Sequence, residues 1–410
     1  KLDGELEFTQ ISFGAETLQG RLPVTDEALA DSRYNLLDEI TGATAEDFAE
    51  KLGQLITKRV GGQDVQNYYA YYQKVDYRYN IRGWLKNIND IDNLIEQGEN
   101  EDLFAFKINY NEVESETGYD GTKLFNGNIS ETYWRSSSDN VKRKYGYSYD
   151  ALNRLLSAVY QKPDVTLPVT NMYNESISYD KNGNILALQR NGDLDADFEN
   201  AGVLEIDNLV YKYDNAKPNL LMKVTDNSFV SLGFKDDTFT DVNDQNDDYK
   251  YDDNGNMTAD ENKGIEKIVY NHLNLPTEIQ FSNGSKISYL YNAAGQKVQK
   301  DVNNSSYIIT TDYLDGFQYV NQALNFFPHA EGYVNVEGTN EDGYKFFYVY
   351  NYTDHLGNIR VSYGFDPDTQ TLKTLEENHY YPFGLKHTNY NTYKRKFTKD
   401  EPPIDTTPGT

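Results

Sequence analysis

Two short strings between residues 350 and 385 carry the residue types with which this chain could do chemistry. The first places Asp354, Gly357 and Arg360 at three-residue spacing. Gly357 can adopt the positive φ that a tight turn requires, and Arg360 is a fixed cation that can pair with Asp354 or another Asp. The second string contains Pro382 and Gly384, which indicate another sharp turn. This stretch is therefore the candidate site.

The chemistry that the stretch could support is peptide hydrolysis by carboxylates. Two carboxyl groups that share one proton can activate a water molecule. Asp366 and Asp368 follow Arg360 and could supply one of them, but the sequence offers no second. A single Asp lacks its acid–base partner. The simpler interpretation is structural, with Arg360 held by Asp354 or by an Asp of the repeats described below, and Arg360 and Asp366 stay as catalytic candidates.

Metal ligands are weakly indicated. The five histidines, His272, His329, His355, His379 and His387, lack metal-ligand spacing. We expect His355 and His379 to be hydrogen-bonded turn residues.

One acidic run alternates like the first ligands of a calcium loop, at Asp193, Asp195, Asp197 and Glu199. Phe198 stands where such loops need Gly. A solvated acidic surface loop is the simpler interpretation and calcium the alternative. No other cofactor is indicated.

The chain around these candidates is periodic. It repeats Tyr, then Asp or Asn, two variable residues, Gly or Asn, one more residue, and an apolar or basic residue. The first clear unit spans residues 77–85, and later units begin at Tyr149, Tyr179, Tyr213, Tyr251, Tyr270 and Tyr291. Asp or Asn can start a tight turn and Gly or Asn can take its left-handed position. Each unit therefore predicts a hairpin, and hairpins must stack to bury an apolar face.

The N-terminal part has a different pattern. Weak alternation in residues 1–24 predicts one or two strands. Thr44 and Asp47 resemble a helix start, and Phe48, Leu52, Leu55 and Ile56 then fall on one face of a helix that Gly61-Gly62 would end. We interpret it as a short helical insertion that covers a sheet, with a partner-binding helix as the alternative. The predicted divisions are 1–67, 68–349, 350–395 and a Pro/Thr-rich linker at 396–410.

Composition excludes several classes of protein. The net charge of −27 over 410 residues argues against binding to nucleic acid, whose phosphates need a basic patch. The chain has no cysteine and therefore no disulfide or thiol chemistry. No apolar run approaches the length of a membrane-spanning helix, which is roughly 18 residues. Because Lys1 follows neither a signal peptide nor an initiator Met, we expect a piece of a longer chain or a mature one.

The repeat units resemble the tyrosine–aspartate (YD) repeats of Rhs proteins, which are related to the C subunits of insecticidal toxin complexes and to teneurins. Residues 350–385 resemble the Rhs-associated core, with matches at Asp354, Gly357, Arg360, Pro382 and Gly384. Strings such as 79–85 and 379–384 look like the Bacteroidota branch. The resemblance covers residues 68–395 and leaves residues 1–60 outside.

The resemblance implies a mainly β fold in which YD-repeat hairpins form one curled, spiral antiparallel sheet, part of a hollow cocoon. Such cocoons enclose a C-terminal polymorphic toxin, and the core closes the end of the shell. The implied protein is bacterial, secreted or at the cell surface, with the toxin cargo and immunity or secretion proteins as partners. This chain has few repeats for a full shell, so we expect an upstream part.

The resemblance leaves three functions open. The first is a non-enzymatic shell segment. The second is an autoproteolytic toxin carrier that cuts itself near Leu385, but the cleaving members have Asp before the Pro-x-Gly turn, where this chain has Tyr381. The core is therefore interpreted as a degenerate aspartyl autoprotease. The third is a surface adhesin whose Tyr-rich sheet faces bind glycans or cell-surface proteins.

Overall fold

The described part of the chain is almost entirely antiparallel β structure. The computed structural model describes residues 11–13, 16–18, 56–61, 71–114, 121–192, 195, 203–228, 230, 232–237, 246–304, 306–339, 343–366, 369 and 371–388. These residues contain 26 strands and one short 3₁₀ helix, Glu261–Lys263. The mainly β prediction is confirmed. No helix in this described part is long and apolar enough to cross a membrane.

The first group of strands lies before residue 227. A two-stranded sheet pairs β1 with β2, and an eleven-stranded sheet runs from β3 to β13 in chain order. The bounds are β1 Ile11–Phe13, β2 Glu16–Leu18, β3 Ile56–Val60, β4 Gln73–Tyr79, β5 Leu85–Ile88, β6 Phe104–Asn109, β7 Glu131–Ser136, β8 Arg143–Tyr149, β9 Leu155–Gln161, β10 Glu175–Tyr179, β11 Ile185–Gly192, β12 Leu204–Tyr213 and β13 Leu221–Asp226.

The remaining strands form a thirteen-stranded sheet, also in chain order. The prediction of one continuous sheet is therefore wrong, because two large sheets divide the repeats between β13 and β14. The bounds are β14 Tyr249–Tyr251, β15 Met257–Asp260, β16 Ile265–Tyr270, β17 Pro276–Phe281, β18 Lys286–Tyr291, β19 Lys297–Asn303, β20 Ile308–Leu314, β21 Phe317–Val320, β22 Ala323–His329, β23 Gly332–Thr339, β24 Gly343–Thr353, β25 Ile359–Asp366 and β26 Thr371–Glu377.

The end of the predicted helix is also wrong. Ile56 belongs to β3 and pairs with Tyr77 of β4, and Gly61 follows this strand rather than a helix. Pairing with a neighbouring strand decides the conformation of such a short apolar run more strongly than its periodicity does. Residues 44–55, which carry the rest of the predicted helix, lie outside the described residues.

The chain divides into two compact units. The first comprises residues 1–108 and 134–139, and the second comprises residues 109–133 and 140–410. In the first unit, apolar side chains of β4 to β6, such as Ile88, Phe104 and Phe106, are almost fully buried. In the second unit, one apolar cluster joins Ile177, Leu188, Leu209, Val224 and Tyr249. The four divisions predicted from the sequence stay a prediction.

Candidate functional site

The repeat turns share one backbone design, shown by Asp180 to Asn184. The N–H of Asp180 donates to the carbonyl of Asn184 at 2.9 Å, and the N–H of Gly183 donates to the carbonyl of Asp180. Gly183 has a φ of 93°, the left-handed conformation that Gly adopts at least cost. The Asp180 carboxylate accepts the N–H groups of Asn182 and Asn184, both at 2.8 Å. The first residue of the turn therefore caps it.

The tyrosine that precedes each turn ties one hairpin to the hairpin before it. Tyr213 donates its hydroxyl to the carbonyl of Ile185, the first residue of β11, at 2.9 Å. Tyr251, Tyr270 and Tyr291 make the same kind of bond to the start of an earlier strand, to Leu221, Met257 and Pro276. Several of these tyrosines also sit at a shift of strand register, including Tyr213, Tyr251 and Tyr291. Each hydroxyl thus donates a hydrogen bond to a carbonyl of the preceding unit next to the β-bulge. This bond holds neighbouring units in one relative position.

The first string of the candidate site is one of these turns with a cation added. The N–H of Asp354 donates to the carbonyl of Asn358, Gly357 has a φ of 80°, and the Asp354 carboxylate accepts the N–H groups of Leu356 and Asn358. Arg360 then donates its Nε to Asp354 Oδ2 at 2.8 Å. The structural pairing offered by the sequence is present.

The Asp354–Arg360 pair is buried. The exposed fraction is 7% for the Arg360 side chain and 0% for that of Asp354. The guanidinium also lies over the ring of Tyr380 at 5.1 Å from its centre. Burial alone would raise the pKa of Asp354, but Arg360 and Asn358 together hold it below its usual value. Asp354 is therefore an ionised structural anion and not a proton donor at neutral pH.

The second string is a repeat unit as well. Tyr380 donates its hydroxyl to the carbonyl of Ile359, the first residue of β25, as the other repeat tyrosines do. The N–H of Tyr381 donates to the carbonyl of Leu385 at 2.8 Å, the N–H of Gly384 donates to the carbonyl of Tyr381 at 2.9 Å, and Gly384 has a φ of 84°. Tyr381 thus occupies the position that Asp or Asn holds in the other turns. Its phenol cannot cap the turn.

The side chain of Tyr381 points instead into the protein. Its hydroxyl donates to the carbonyl of Asn191 at 2.5 Å, and Arg190 lies over its ring. Gly192 gives it room, since a Cβ there would lie 2.6 Å from the Tyr381 hydroxyl. The residue that would cap an ordinary repeat turn here joins residues about 190 positions earlier in the chain.

Around Tyr381 lies a buried cluster of aromatic rings, which we call the aromatic cluster: Tyr145, Tyr160, Tyr173, Tyr381 and His387. The His387 ring stacks on Tyr173 with centres 4.1 Å apart and planes 7° apart, and meets the edge of Tyr381 at 4.6 Å. Tyr160 and Tyr145 complete the ring contacts at 5.8 and 6.0 Å from His387. Three of these tyrosines, on β8, on β9 and before β10, lie more than 200 residues before His387 in the chain.

Two carboxylates lie beside the same turn. Arg190 donates its Nε to Glu175 Oε2 at 2.6 Å and one terminal nitrogen to Asp207 Oδ2 at 3.1 Å. The Glu175 and Asp207 side chains have no exposed surface. Burial raises the pKa of Glu175, while Arg190 and the backbone N–H of Phe383 in the turn act in the opposite direction. Arg190 thus bridges the two carboxylates. Its positive charge lies between their negative charges, which favours a structural role.

A second buried ion cluster contains one of the calcium candidates. The Asp195 carboxylate contacts Lys162 at 3.0 Å and Arg143 at 3.3 Å, and it accepts the hydroxyl of Tyr160. These partners occupy oxygens that a calcium ion would need. Asp193, Asp197 and Glu199 lie outside the described residues, so the calcium hypothesis stays a prediction. In the described part of the chain, no group of three or more His, Asp or Glu is arranged as a metal site.

The structure does not bring the catalytic candidates together. Asp366 ends β25 and pairs with Lys373. Arg360 lies near the other end of this strand, and six residues of β structure span about 20 Å. Asp368 is outside the described residues. His355 is half-buried, and burial lowers its pKa, while His379 contacts Glu377 at 3.0 Å.

Sequence reasoning missed Glu175, Arg190, Asp207 and the role of His387. The Tyr380-Tyr381 pair, read as a repeat unit with its Asp replaced, was a signal for the special turn. No pattern in the sequence links this turn to β10, β11 or β12, because that proximity depends on how the two sheets meet within the second unit.

Comparisons with known proteins give distant similarities only. No family model and no curated protein matches the chain. The crystal structure of TcdB2-TccC3-TEV matches over 78% of this chain and 17% of its own, at 13% identity and a TM-score of 0.43. A Photorhabdus luminescens Tc holotoxin pore with a mutated TccC3 matches over 79% and 17%, at 13% identity and a TM-score of 0.42. This chain spans less than a fifth of those chains, and nothing about its activity follows from a similarity at this level.

Proposed function

We propose that this chain is a structural shell segment of an Rhs-type protein, secreted or at the bacterial cell surface, that encloses or presents a C-terminal toxin cargo. The observation that carries the proposal is the placement of residues 378–388. This segment follows β26, stays bonded to β25 through Asn378 and Tyr380, and also contacts residues of β8 to β11 in the eleven-stranded sheet. Its attachment is buried and made of hydrogen bonds and ring contacts, which supports a plug that is fixed to a shell.

The contacts of this segment are structural in kind. Tyr381 bonds to Asn191, Tyr173 donates to the carbonyl of Thr388 at 2.5 Å, and Tyr145 contacts His387 at 2.9 Å. Every one of these groups is a hydrogen-bonding or stacking partner, and none is placed to attack a peptide bond. These contacts therefore support a scaffold role for the segment.

The gene supplies the first test. A variable domain encoded after Thr410 supports cargo delivery. The protein supplies the second: if a shell encloses that domain, limited proteolysis of the full native protein leaves the domain intact, whereas the same domain expressed alone is digested. Equal digestion in both forms contradicts enclosure.

Autoproteolysis near Leu385 is a separate function, and we predict that it does not occur. A phenol with a pKa of roughly 10 cannot exchange the proton that a carboxylate exchanges near neutral pH. The turn survives the change because its bonds are backbone bonds. Intact-mass measurement of freshly purified protein with its native downstream region tests this. A fragment that ends at Leu385 contradicts it, and the variants Glu175→Gln and Asp366→Asn then identify the carboxylate responsible.

A surface adhesin is the second candidate, and one observation favours it. Alternate residues of β24 place Tyr344, Phe346 and Tyr348 on one sheet face, with exposed fractions of 37%, 51% and 55%. Exposed aromatic rings of this kind stack on sugar rings or on protein partners. Binding to a glycan array that disappears in the double variant Phe346→Ser, Tyr348→Ser would support this function. Retained binding in that variant, or no binding in the native protein, contradicts it.

A further inference from the structure

Residues 378–388, which we call the latch segment, are attached in part through His387. The imidazole lies in the aromatic cluster with an exposed fraction of 4% for the residue. Its backbone N–H donates to the carbonyl of His379 at 2.8 Å, which closes the segment on itself. His387 therefore takes part in the fold of the segment through its backbone and in the attachment of the segment through its ring. A change in the charge of the ring is expected to affect both.

The hydrogen bonds determine which nitrogen of His387 carries the proton. Tyr145 has one hydroxyl proton and donates it to the carbonyl of Tyr173 at 2.7 Å. The 2.9 Å contact between Tyr145 and Nε2 of His387 must then have the histidine as donor. In the docked state the imidazole is neutral with its proton on Nε2. A second proton would go to Nδ1.

The groups that face His387 come from five parts of the chain. On β8 they are Tyr145 and Arg143, on β9 Tyr160, and before β10 Tyr173. On β25 the group is Arg360, and within the latch segment the groups are His379 and Tyr381. The nearby carboxylates already have partners: Asp195 binds Arg143 and Lys162, Glu175 binds Arg190, and Glu377 contacts His379.

These surroundings oppose a charge on His387. The ring face of Tyr173 attracts a cation, but complete burial removes the solvation of the charged form, and His379, Arg360 and Arg143 repel it. The balance holds the pKa of His387 well below its usual value. Because the pKa is depressed in the docked state, docking is fully favourable above the ordinary histidine pKa of about 6.5 and weakens as the pH falls below it.

We propose that the latch segment is a pH-sensitive switch, whose attachment to β8 to β11 weakens under mildly acidic conditions when His387 takes up a second proton. A released segment exposes Tyr381 and His387 to solvent. The switch acts through the charge of His387. It goes beyond the shell function and does not depend on the identity of any cargo.

The size of the effect follows from proton linkage. One proton taken up only by the detached state lowers the docking equilibrium constant about tenfold between pH 7.5 and pH 5.5, if the detached histidine has a pKa of about 6.5. Glu175 acts in the opposite sense, since its raised pKa favours the docked state as the pH falls. A variant at position 387 must therefore be compared with wild type at both pH values.

Hydrogen–deuterium exchange of the full chain tests the proposal. We expect the protection factors of residues 378–388, corrected for the intrinsic pH dependence of exchange, to fall about tenfold from pH 7.5 to pH 5.5. Amides of β16 to β18 serve as an internal reference and should not change. Equal protection of the latch segment at both pH values overturns the proposal.

Two variants separate His387 from other titrating groups. His387→Gln keeps a donor for Tyr145 and cannot be protonated, so we expect its latch segment to show no fall in protection from pH 7.5 to pH 5.5. If the latch segment of the Gln variant does not dock, His387→Phe replaces it in the test. The Phe side chain cannot be protonated either, and it keeps the stack on Tyr173. His379→Gln should retain the tenfold response. If both variants at position 387 lose as much protection as wild type does, another group causes the response. That result overturns the proposal.

Discussion

The turns at Asp180 and at Tyr381 have the same backbone bonds and opposite side-chain roles. The carboxylate of Asp180 stays at the surface and accepts the N–H groups of its own turn. Tyr381 does not cap its own turn, where Glu175 accepts the N–H of Phe383 instead, and it reaches Asn191 in β11. Gly183 and Gly384 nevertheless hold nearly the same positive φ, 93° and 84°. The backbone and the glycine therefore make the turn, and the first residue can be reassigned to hold distant elements together.

The Asp354 turn lies between these two cases. Its carboxylate caps the turn as Asp180 does, and it also binds a buried cation, Arg360. The first side chain of the turn bonds only within its own turn at position 180. At position 354 it also bonds to Arg360, and at position 381 it bonds only to distant residues. Replacing the buried side chains at 354 and 381 should cost more stability than replacing that of Asp180, since burial makes broken polar contacts costly.

The largest effect is expected for Arg190→Ala. It leaves Glu175 and Asp207 buried without their shared cation, and losing one partner of a buried ion pair costs about 3–5 kcal/mol. The pKa of Glu175, already raised by burial, should rise further. Stability lost at pH 7 should then be partly recovered at pH 5, where the carboxyl groups take up protons. Thermal unfolding at both pH values measures this.

Arg154→Ala is the matched control for Arg190→Ala. Arg154 pairs with Asp150 in a repeat turn, at 2.6 Å, but both side chains are partly exposed. Arg154 also donates to the carbonyl of Asp180 and lies over the ring of Tyr179, but its ion pair is less buried, so this variant should lose less stability than Arg190→Ala at pH 7. A loss as large as that of Arg190→Ala would show that burial does not separate the two kinds of turn.

Arg360→Ala should destabilise the region of the Asp354 turn by about 3–5 kcal/mol, because Asp354 is left as a buried, uncompensated anion. The effect should be local to β24, β25 and the latch segment, and native-state hydrogen exchange of these amides measures it. If their exchange were unchanged, the pair would not hold the core.

Gly183→Ala and Gly384→Ala compare the backbones of the two turns directly. Neither Cβ would meet an atom within 4 Å, so the cost comes from the left-handed φ alone and should be about 1–2 kcal/mol in each. Equal losses in urea unfolding support a common turn. A much larger loss at Gly384 would mean that packing, and not φ, selects glycine there.

The smallest effect is expected for Tyr381→Phe. It removes one hydroxyl bond to Asn191 and keeps the ring contacts with Tyr173 and His387, so the cost should be about 0.5–1.5 kcal/mol. Tyr213→Phe, which removes the repeat bond to Ile185, is the matched control. Comparable losses in the two variants would show that the tertiary bond is no stronger than a repeat bond.

The local structure of this protein follows from residue types at short spacing. The Tyr–Asp…Gly spacing predicts hairpins with a left-handed residue, and the turns at residues 180, 252 and 354 are built that way because their bonds run between residues at most four apart. The same short range made the Arg360–Asp354 pair predictable, since the two residues are six positions apart.

The surroundings of the latch segment depend on contacts between residues that are far apart in the chain. The strands pair with their neighbours in the chain, so local patterns could not show where the repeats divide into two sheets. Arg190 beside Tyr381, and His387 beside Tyr145, join residues about 190 and 240 positions apart. Such contacts depend on the packing of whole sheets, and side-chain burial then sets the charge of Glu175 and His387, which no spacing in the sequence encodes.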